Sequence, residues 1–99
     1  MIVAFSISPT SGDETGSVSE AVAAAVRVVK DSGLPYELNS MFTNVEGEWD
    51  EVMAVVKRAV DVVAATSPRV GLVLKADIRP GYEGQLTAKV ERVQQALGE

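Results

Sequence analysis

Three charged residues alternate at the end of the longest predicted strand of this 99-residue chain: Lys75, Asp77 and Arg79. At the two-residue period of a β-strand, their side chains point to one side of the sheet. Ser6 and Ser8 alternate in the same way along the first predicted strand. If the two strands lie side by side, these hydroxyl and charged groups form a hydrogen-bonding floor for a small ligand. A solvated row of ion pairs, which stabilises a fold only weakly, is the competing interpretation.

A second polar group ends the third predicted strand, where Thr43, Asn44 and Glu46 precede Gly47 and Glu48. Hydroxyl, amide and carboxylate groups together suit the recognition of a small polar molecule. Glu48 has a simpler explanation, because an acidic residue in the first turn of a helix complements the helix dipole. Gly47 is explained by the turn itself. Glu46 has no comparable explanation and is therefore the better ligand candidate.

The loop at 9–16, with the sequence PTSGDETG, has the glycines and hydroxyls of a phosphate-binding loop. It lacks the Gly-Lys-Ser/Thr that completes such a loop, and Asp13 and Glu14 would repel a phosphate. We interpret it as an ordinary surface loop.

The chain contains no histidine and no cysteine. Disulfides, thiolate nucleophiles and iron–sulfur clusters are therefore excluded, and the usual general base and commonest transition-metal ligand are missing. No nucleophile–base pair can be named from the sequence, and we predict no cofactor and no metal.

The charge balance is acidic, with 14 Asp and Glu against 9 Lys and Arg and a net charge of −5. This argues against a nucleic-acid partner, which requires a cationic surface, and favours a cationic or neutral ligand. The start MIVAFSIS lacks the basic segment of a signal peptide, and no apolar run approaches the roughly 20 residues of a membrane span. We therefore predict no membrane partner and a cytoplasmic location.

Hydrophobic periodicity predicts four strands and three helices. The strands are at 2–8, 35–39, 41–46 and 69–79. The second and third form an antiparallel hairpin, preferred to a single bent strand, with a tight reversal near Asn39-Ser40. The first helix starts at the capping-box pattern Ser17-Val-Ser-Glu20 and ends at Gly33. The second starts at Gly47, and Trp49 opens its apolar stripe, so we expect Trp49 in the core or an interface. A third helix, with Leu86, Val90, Val93 and Leu97 on one stripe, runs almost to the C-terminus.

This order, β-α-β-β-α-β followed by α, predicts an α+β ferredoxin-like sandwich with an additional C-terminal helix, formed by residues 1–99 as one domain. Two helices cover one sheet face and leave the other open. The residues expected on the open face are Ile2, Ala4, Ser6, Ser8, Val73, Lys75, Asp77 and Arg79. Self-association through this face is the simplest way to cover it.

Four segments resemble the YkoF-like thiamine-binding protein family. They are Ser17-Val-Ser-Glu20, Ser32-Gly-Leu-Pro-Tyr-Glu-Leu38, Glu46-Gly-Glu-Trp-Asp-Glu-Val52 and Lys75-Ala-Asp-Ile-Arg79. The resemblance implies a ferredoxin-like subunit that assembles into dimers and commonly tetramers and binds thiamine or its hydroxymethylpyrimidine moiety without catalysis. The chain departs from the family at Met41-Phe-Thr43, where Met-Gly-Thr is common, and at Asp77-Ile-Arg79, where Asp-Asp-Arg is common. The first change bears on pocket volume and ligand choice.

Together with strand alternation, the resemblance implies which residues bind thiamine. The aminopyrimidine suits Asp77, Thr43 and a hydroxyl from Ser6 or Ser8, and the cationic thiazolium suits Glu46. Phe42 or Trp49 offers a stacking surface. Two other functions stay open: a structural or regulatory homo-oligomer whose open face serves only self-association, and a weak enzyme acting on a pyrimidine metabolite.

Overall fold

The computed structural model of the protein describes residues 1–9 and 17–99, with the side chains of Ser17 and Val18 outside that description. Residues 10–16 of the loop predicted at 9–16 and the capping contacts of Ser17 therefore lie outside the described residues, and Pro9 is the last residue of β1. The elements are β1 (Ile2–Pro9), α1 (Ser17–Asp31), β2 (Tyr36–Leu38), β3 (Thr43–Glu46), α2 (Trp49–Ala64), β4 (Val70–Asp77) and α3 (Gln85–Ala96). The predicted order of strands and helices is confirmed.

The four strands form one antiparallel sheet in the order β2-β3-β1-β4, which is the ferredoxin-like arrangement. Ile2 of β1 lies between Glu46 of β3 and Asp77 of β4. β3 pairs with β1 only as far as Phe5, so the end of β1 has β4 as its one described neighbour. This explains why the strand extends through Pro9, since a proline is tolerated where one side of a strand is unpaired.

The core lies between one face of the sheet and helices α1 and α2. Alternate residues of β1 point into it, as the period of two predicts. Its buried members are Val3, Phe5, Ile7, Val45, Ala25, Val29, Val52, Val55, Val56, Ala59 and Val63. Each fully buried valine or larger side chain contributes roughly 1.5–3 kcal/mol. This core holds β1 and β3 rigidly and so positions the residues on their opposite face.

Trp49 does not belong to this core, because 54% of its surface is exposed. It is the first residue of α2, and the buried stripe of that helix begins only at Val52. The predicted core position is therefore wrong for Trp49, and an interface position stays a prediction.

The predicted hairpin between β2 and β3 is confirmed. The backbone N–H of Asn39 donates to the carbonyl of Phe42 at 3.0 Å. The Asn39 Oδ1 accepts the N–H groups of Met41 and Phe42, each at 2.9 Å. The side chain of Asn39 thus replaces backbone partners in the turn, as asparagine commonly does.

Glycine occupies positions 33 and 47 for two different structural reasons. Gly33 follows α1 with φ +79°, the left-handed conformation predicted for a C-cap. Gly47 does not have a positive φ, and a Cβ there would lie 3.1 Å from Cγ2 of Val52. The prediction that Gly47 is needed for the turn is therefore wrong. A small residue suits this position because it packs against α2.

Helix α3 lies on the face of the sheet that α1 and α2 leave open, so that face is partly covered. Leu86, in its first turn, is buried. Further along the predicted apolar stripe, Val90, Val93 and Leu97 are exposed by 49%, 59% and 69%. The helix is therefore held at its N-terminal end and presents the rest of its apolar stripe to solvent.

Candidate functional site

The site begins with Glu46, whose carboxylate holds the first turn of α3. Glu46 is buried, and its Oε2 accepts the backbone N–H of Gln85 at 2.9 Å. Its Oε1 accepts the N–H of Leu86 at 3.2 Å. The N-cap residue, Gly84, has no side chain to cap the helix, so Glu46 satisfies these groups from the neighbouring strand. The residue predicted as a ligand for a cation thus has an anchoring role.

A cavity of about 230 Å³ lies between α3 and the sheet. We call it the inner cavity. Its polar lining comes from Glu37 on β2, Asn44 on β3, and Lys75 and Asp77 on β4, together with Gln85 and Lys89 on α3. Its apolar lining consists of Ile2, Ala4, Leu86 and Val90. Apolar walls with a few polar groups are typical of small-molecule sites.

A second cavity of about 160 Å³, the outer cavity, adjoins the inner one. The two share the lining residues Ile2, Asp77, Gln85 and Lys89. The outer cavity adds Arg79, whose guanidinium carbon lies 3.6 Å from the centroid of the Tyr82 ring. It also adds Arg92, whose Nη2 donates to Oε1 of Gln85 at 3.0 Å. The two cavities adjoin through these shared residues, and we call them together the α3 groove.

Asp77 lies where the two cavities meet. Lys89 Nζ donates to its Oδ2 at 2.6 Å, forming an exposed ion pair. The hydrogen bond and the charge of Lys89, with a smaller contribution from Arg79, hold the pKa of Asp77 below its usual range. Asp77 is therefore an ionised acceptor at neutral pH. Among the residues described, no group of three or more acidic side chains is placed to hold a metal ion.

The predicted site residues divide between two places. Five of them, Asn44, Glu46, Lys75, Asp77 and Arg79, line the α3 groove. The other three, Ser6, Ser8 and Thr43, line a separate cavity of about 360 Å³ beside Met41 and Phe42.

The register explains this division. Ser6 lies opposite Val73 and Ser8 opposite Gly71, so neither is the partner of Lys75 or Asp77. Six residues at about 3.3 Å each place Ser8 roughly 20 Å along the strand from Ile2, the neighbour of Asp77. The register therefore separates the two serines from Asp77, whereas Ser6 is a diagonal neighbour of Lys75 on the same face. A common floor of serines and charged residues stays a prediction only for that pair. Thr43 is buried and alternates with Asn44 along β3. It therefore points to the sheet face that α1 and α2 cover.

Sequence reasoning missed the contribution of α3. Gln85, Lys89 and Arg92 follow one another at spacings of four and three residues, so they share one helix face. For that helix we predicted only the apolar stripe. The polar stripe of Gln85, Lys89 and Arg92 can be recognised in the sequence. Where this stripe lies on the sheet depends on the contact between Glu46 and the first turn of α3.

The fold and the groove define an α+β ferredoxin-like protein whose third helix closes a small-molecule-sized groove on the outer face of the sheet. The chain belongs to the thiamine-binding protein family, whose profile matches residues 3–94. The family membership implied by the four sequence segments is confirmed.

Related proteins agree with this assignment. A UPF0045 protein of Mycobacterium bovis is 51% identical over 98 residues, covering 98% of this chain and 94% of the relative. A solved structure of a hypothetical protein from Methanocaldococcus jannaschii has a TM-score of 0.84 and 31% identity, covering 95% of each chain. A Thermotoga maritima protein provisionally assigned to thiamine biosynthesis or salvage has a TM-score of 0.73 and 28% identity, covering 94% of this chain and 99% of that one.

Within the part of the chain that the structure describes, no helix is long and apolar enough to cross a membrane.

Proposed function

We propose that this protein binds thiamine or its hydroxymethylpyrimidine moiety reversibly and without catalysis, in the α3 groove. The observation that carries the proposal is the convergence of Asn44 and Asp77 on a groove in a member of the thiamine-binding protein family. We further propose a homo-oligomer, dimer or tetramer, of a single domain spanning 1–99. Its location is the cytoplasm, and its partners include neither nucleic acid nor membrane.

The inner cavity has the chemistry that an aminopyrimidine requires. The ring carries an amino donor and nitrogen acceptors, and the Asn44 amide supplies both an acceptor and a donor. Glu37 adds an acceptor beside Asn44, its partner in the sheet register. Ala4 and Leu86 supply apolar surface for the two faces of the ring. These contacts favour the pyrimidine end of the ligand in the inner cavity.

Ser6, Ser8 and Thr43 stay predicted ligand contacts at the separate cavity. We make the α3 groove the primary site because it contains five of the eight predicted residues. Its Glu46 carboxylate also has a fixed position, because it is buried and holds α3. Fixed groups lose little freedom when a ligand binds.

The proposal of binding without catalysis is supported by side-chain chemistry. The sequence has no histidine or cysteine, and the ionised Asp77 is paired with Lys89. A carboxylate with a lowered pKa is a weak base near neutral pH, where a pKa close to the working pH is most effective.

The homo-oligomer is supported by exposed apolar side chains on the sheet and on α3. Val73 on the sheet is 59% exposed, and Val90, Val93 and Leu97 on α3 are exposed by 49%, 59% and 69%. Apolar patches of this kind mark contact surfaces. The same observation favours the alternative function, a structural or regulatory homo-oligomer whose open face serves only self-association.

The experiment compares Asn44→Ala and Asp77→Ala by thiamine calorimetry and by sedimentation. Asp61→Ala is the matched control, because Asp61 forms a similar exposed ion pair with Lys57 on α2. We expect both groove variants to weaken thiamine binding by about tenfold, the equivalent of one good hydrogen bond to a charged group, with unchanged assembly. Altered assembly together with unchanged thiamine affinity would support the alternative function instead.

A further inference from the structure

The outer cavity carries a surplus of positive charge in an otherwise acidic protein. Arg79, Lys89 and Arg92 contribute three cationic side chains to its lining, against the two carboxylates of Glu46 and Asp77. The protein as a whole has a net charge of −5. The inner cavity, by comparison, is balanced, with two carboxylates (Glu37, Asp77) and two ammonium groups (Lys75, Lys89). The surplus is thus confined to one end of the groove.

Both carboxylates of the outer cavity already have partners. Glu46 accepts two backbone N–H groups of α3, and Asp77 accepts the ammonium of Lys89. Considering residues 1–9 and 17–99, neither Arg79 nor Arg92 forms a salt bridge. The two guanidinium groups are therefore side-chain charges of this cavity that a ligand meets without displacing an existing ion pair.

The neighbours of the two arginines orient them without neutralising them. The Tyr82 ring contacts the face of the Arg79 guanidinium, which leaves the N–H donors in the guanidinium plane free. Gln85 occupies one nitrogen of Arg92 and leaves its other donors available. Guanidinium groups with free in-plane donors suit phosphate oxygens, which they bind in a bidentate manner.

We propose that the α3 groove recognises the phosphate monoester form of its ligand, with the aminopyrimidine against Asn44 and the phosphate against Arg79 and Arg92. This inference rests on the proposed function and specifies its ligand class. It also refines the expectation of a cationic or neutral ligand drawn from the net charge, because Arg79 and Arg92 would repel the cationic thiazolium at the outer end. In a phosphate monoester of thiamine, the thiazolium lies between the two ends, beside Asp77.

The test is calorimetry with two probes, thiamine and thiamine monophosphate, on the wild-type protein and on Arg79→Gln and Arg92→Gln. We expect the monophosphate to bind about tenfold or more tightly than thiamine, because charge-assisted hydrogen bonds are the stronger ones. Each variant should weaken monophosphate binding by about tenfold and thiamine binding by less than about twofold. The advantage of the monophosphate should also fall as salt is added.

Arg58→Gln is the matched control, because Arg58 is an exposed arginine on α2, away from the groove. Its monophosphate affinity should equal that of the wild type. Equal affinities for the two probes, or equal losses in all three arginine variants, would overturn the phosphate inference while thiamine binding still stands. Failure of both probes to bind would overturn this inference and the proposed function together.

Discussion

Glu46 and Gln85 are separated by 39 residues in sequence and joined by a hydrogen bond of 2.9 Å between a strand carboxylate and a helix N–H. Leu86 donates to the second oxygen of the same carboxylate. This contact sets where α3 crosses the sheet, and so where Lys89 and Arg92 lie relative to Asp77. The groove therefore exists because a buried acid caps a helix from another element.

Replacing that acid should loosen α3. We expect Glu46→Gln to lower the free energy of unfolding by about 2 kcal/mol, since a charge-assisted hydrogen bond to a helix N-terminus is lost from a buried site. Urea denaturation measures the change, and amide exchange at Gln85 and Leu86 should become faster. Glu91→Gln, an exposed acid on the same helix, should change little. Equal stability of the two variants would contradict the anchoring role.

The ion pair of Asp77 and Lys89 should be visible in the titration of Asp77. Lys89 lowers the Asp77 pKa, so Lys89→Met should raise it toward the usual value of about 3.9. Because the folded pKa is the lower one, the pair stabilises the fold above about pH 4 and loses that effect as the pH falls through the folded pKa. Carboxyl NMR titration measures the shift. Lys57→Met should leave the Asp77 curve unchanged, and an unchanged curve in Lys89→Met would contradict the pairing.

A methyl group at Gly47 should destabilise the protein. A Cβ there would lie 3.1 Å from Cγ2 of the fully buried Val52 and 3.4 Å from two carbons of Leu34. We expect Gly47→Ala to destabilise the protein by about 1 kcal/mol through overpacking. Gly71→Ala is the comparison, because a Cβ at Gly71 meets only Ser8 O at 3.7 Å. Thermal unfolding should separate the two variants, and a Gly47→Ala protein as stable as Gly71→Ala would show that the packing relaxes freely.

The exposed stripe of α3 should carry the proposed self-association. Val93→Lys places a charge on a 59% exposed position of that stripe, and we expect sedimentation to shift toward the monomer. Val62→Lys makes the same exchange at a 39% exposed valine of α2, where assembly should be unaffected. A Val93→Lys protein that sediments like the wild type would place the interface elsewhere.

The fold was predictable from sequence because its elements have strong local signals. Val3, Phe5 and Ile7 alternate at the period of a strand, Gly33 marks the end of a helix, and Asn39 marks a turn. Each signal depends on neighbouring residues alone, so the element order followed from them.

The site was predictable only in part, because it depends on register and on a long-range contact. Alternation placed Ser6 and Asp77 on the same face, but the pairing of Ile2 with Asp77 separates them along the sheet. The role of Glu46 requires the position of α3, which no local pattern reveals. Lys89 and Arg92 were missed for the same reason.

The most direct test of thiamine binding is calorimetric titration of the wild-type protein with thiamine. We expect saturable heat, with a binding curve that weakens in Asn44→Ala because the amide in the inner cavity is lost. Absence of binding heat at millimolar thiamine, with a folded protein, would contradict the proposal that the α3 groove is a thiamine site.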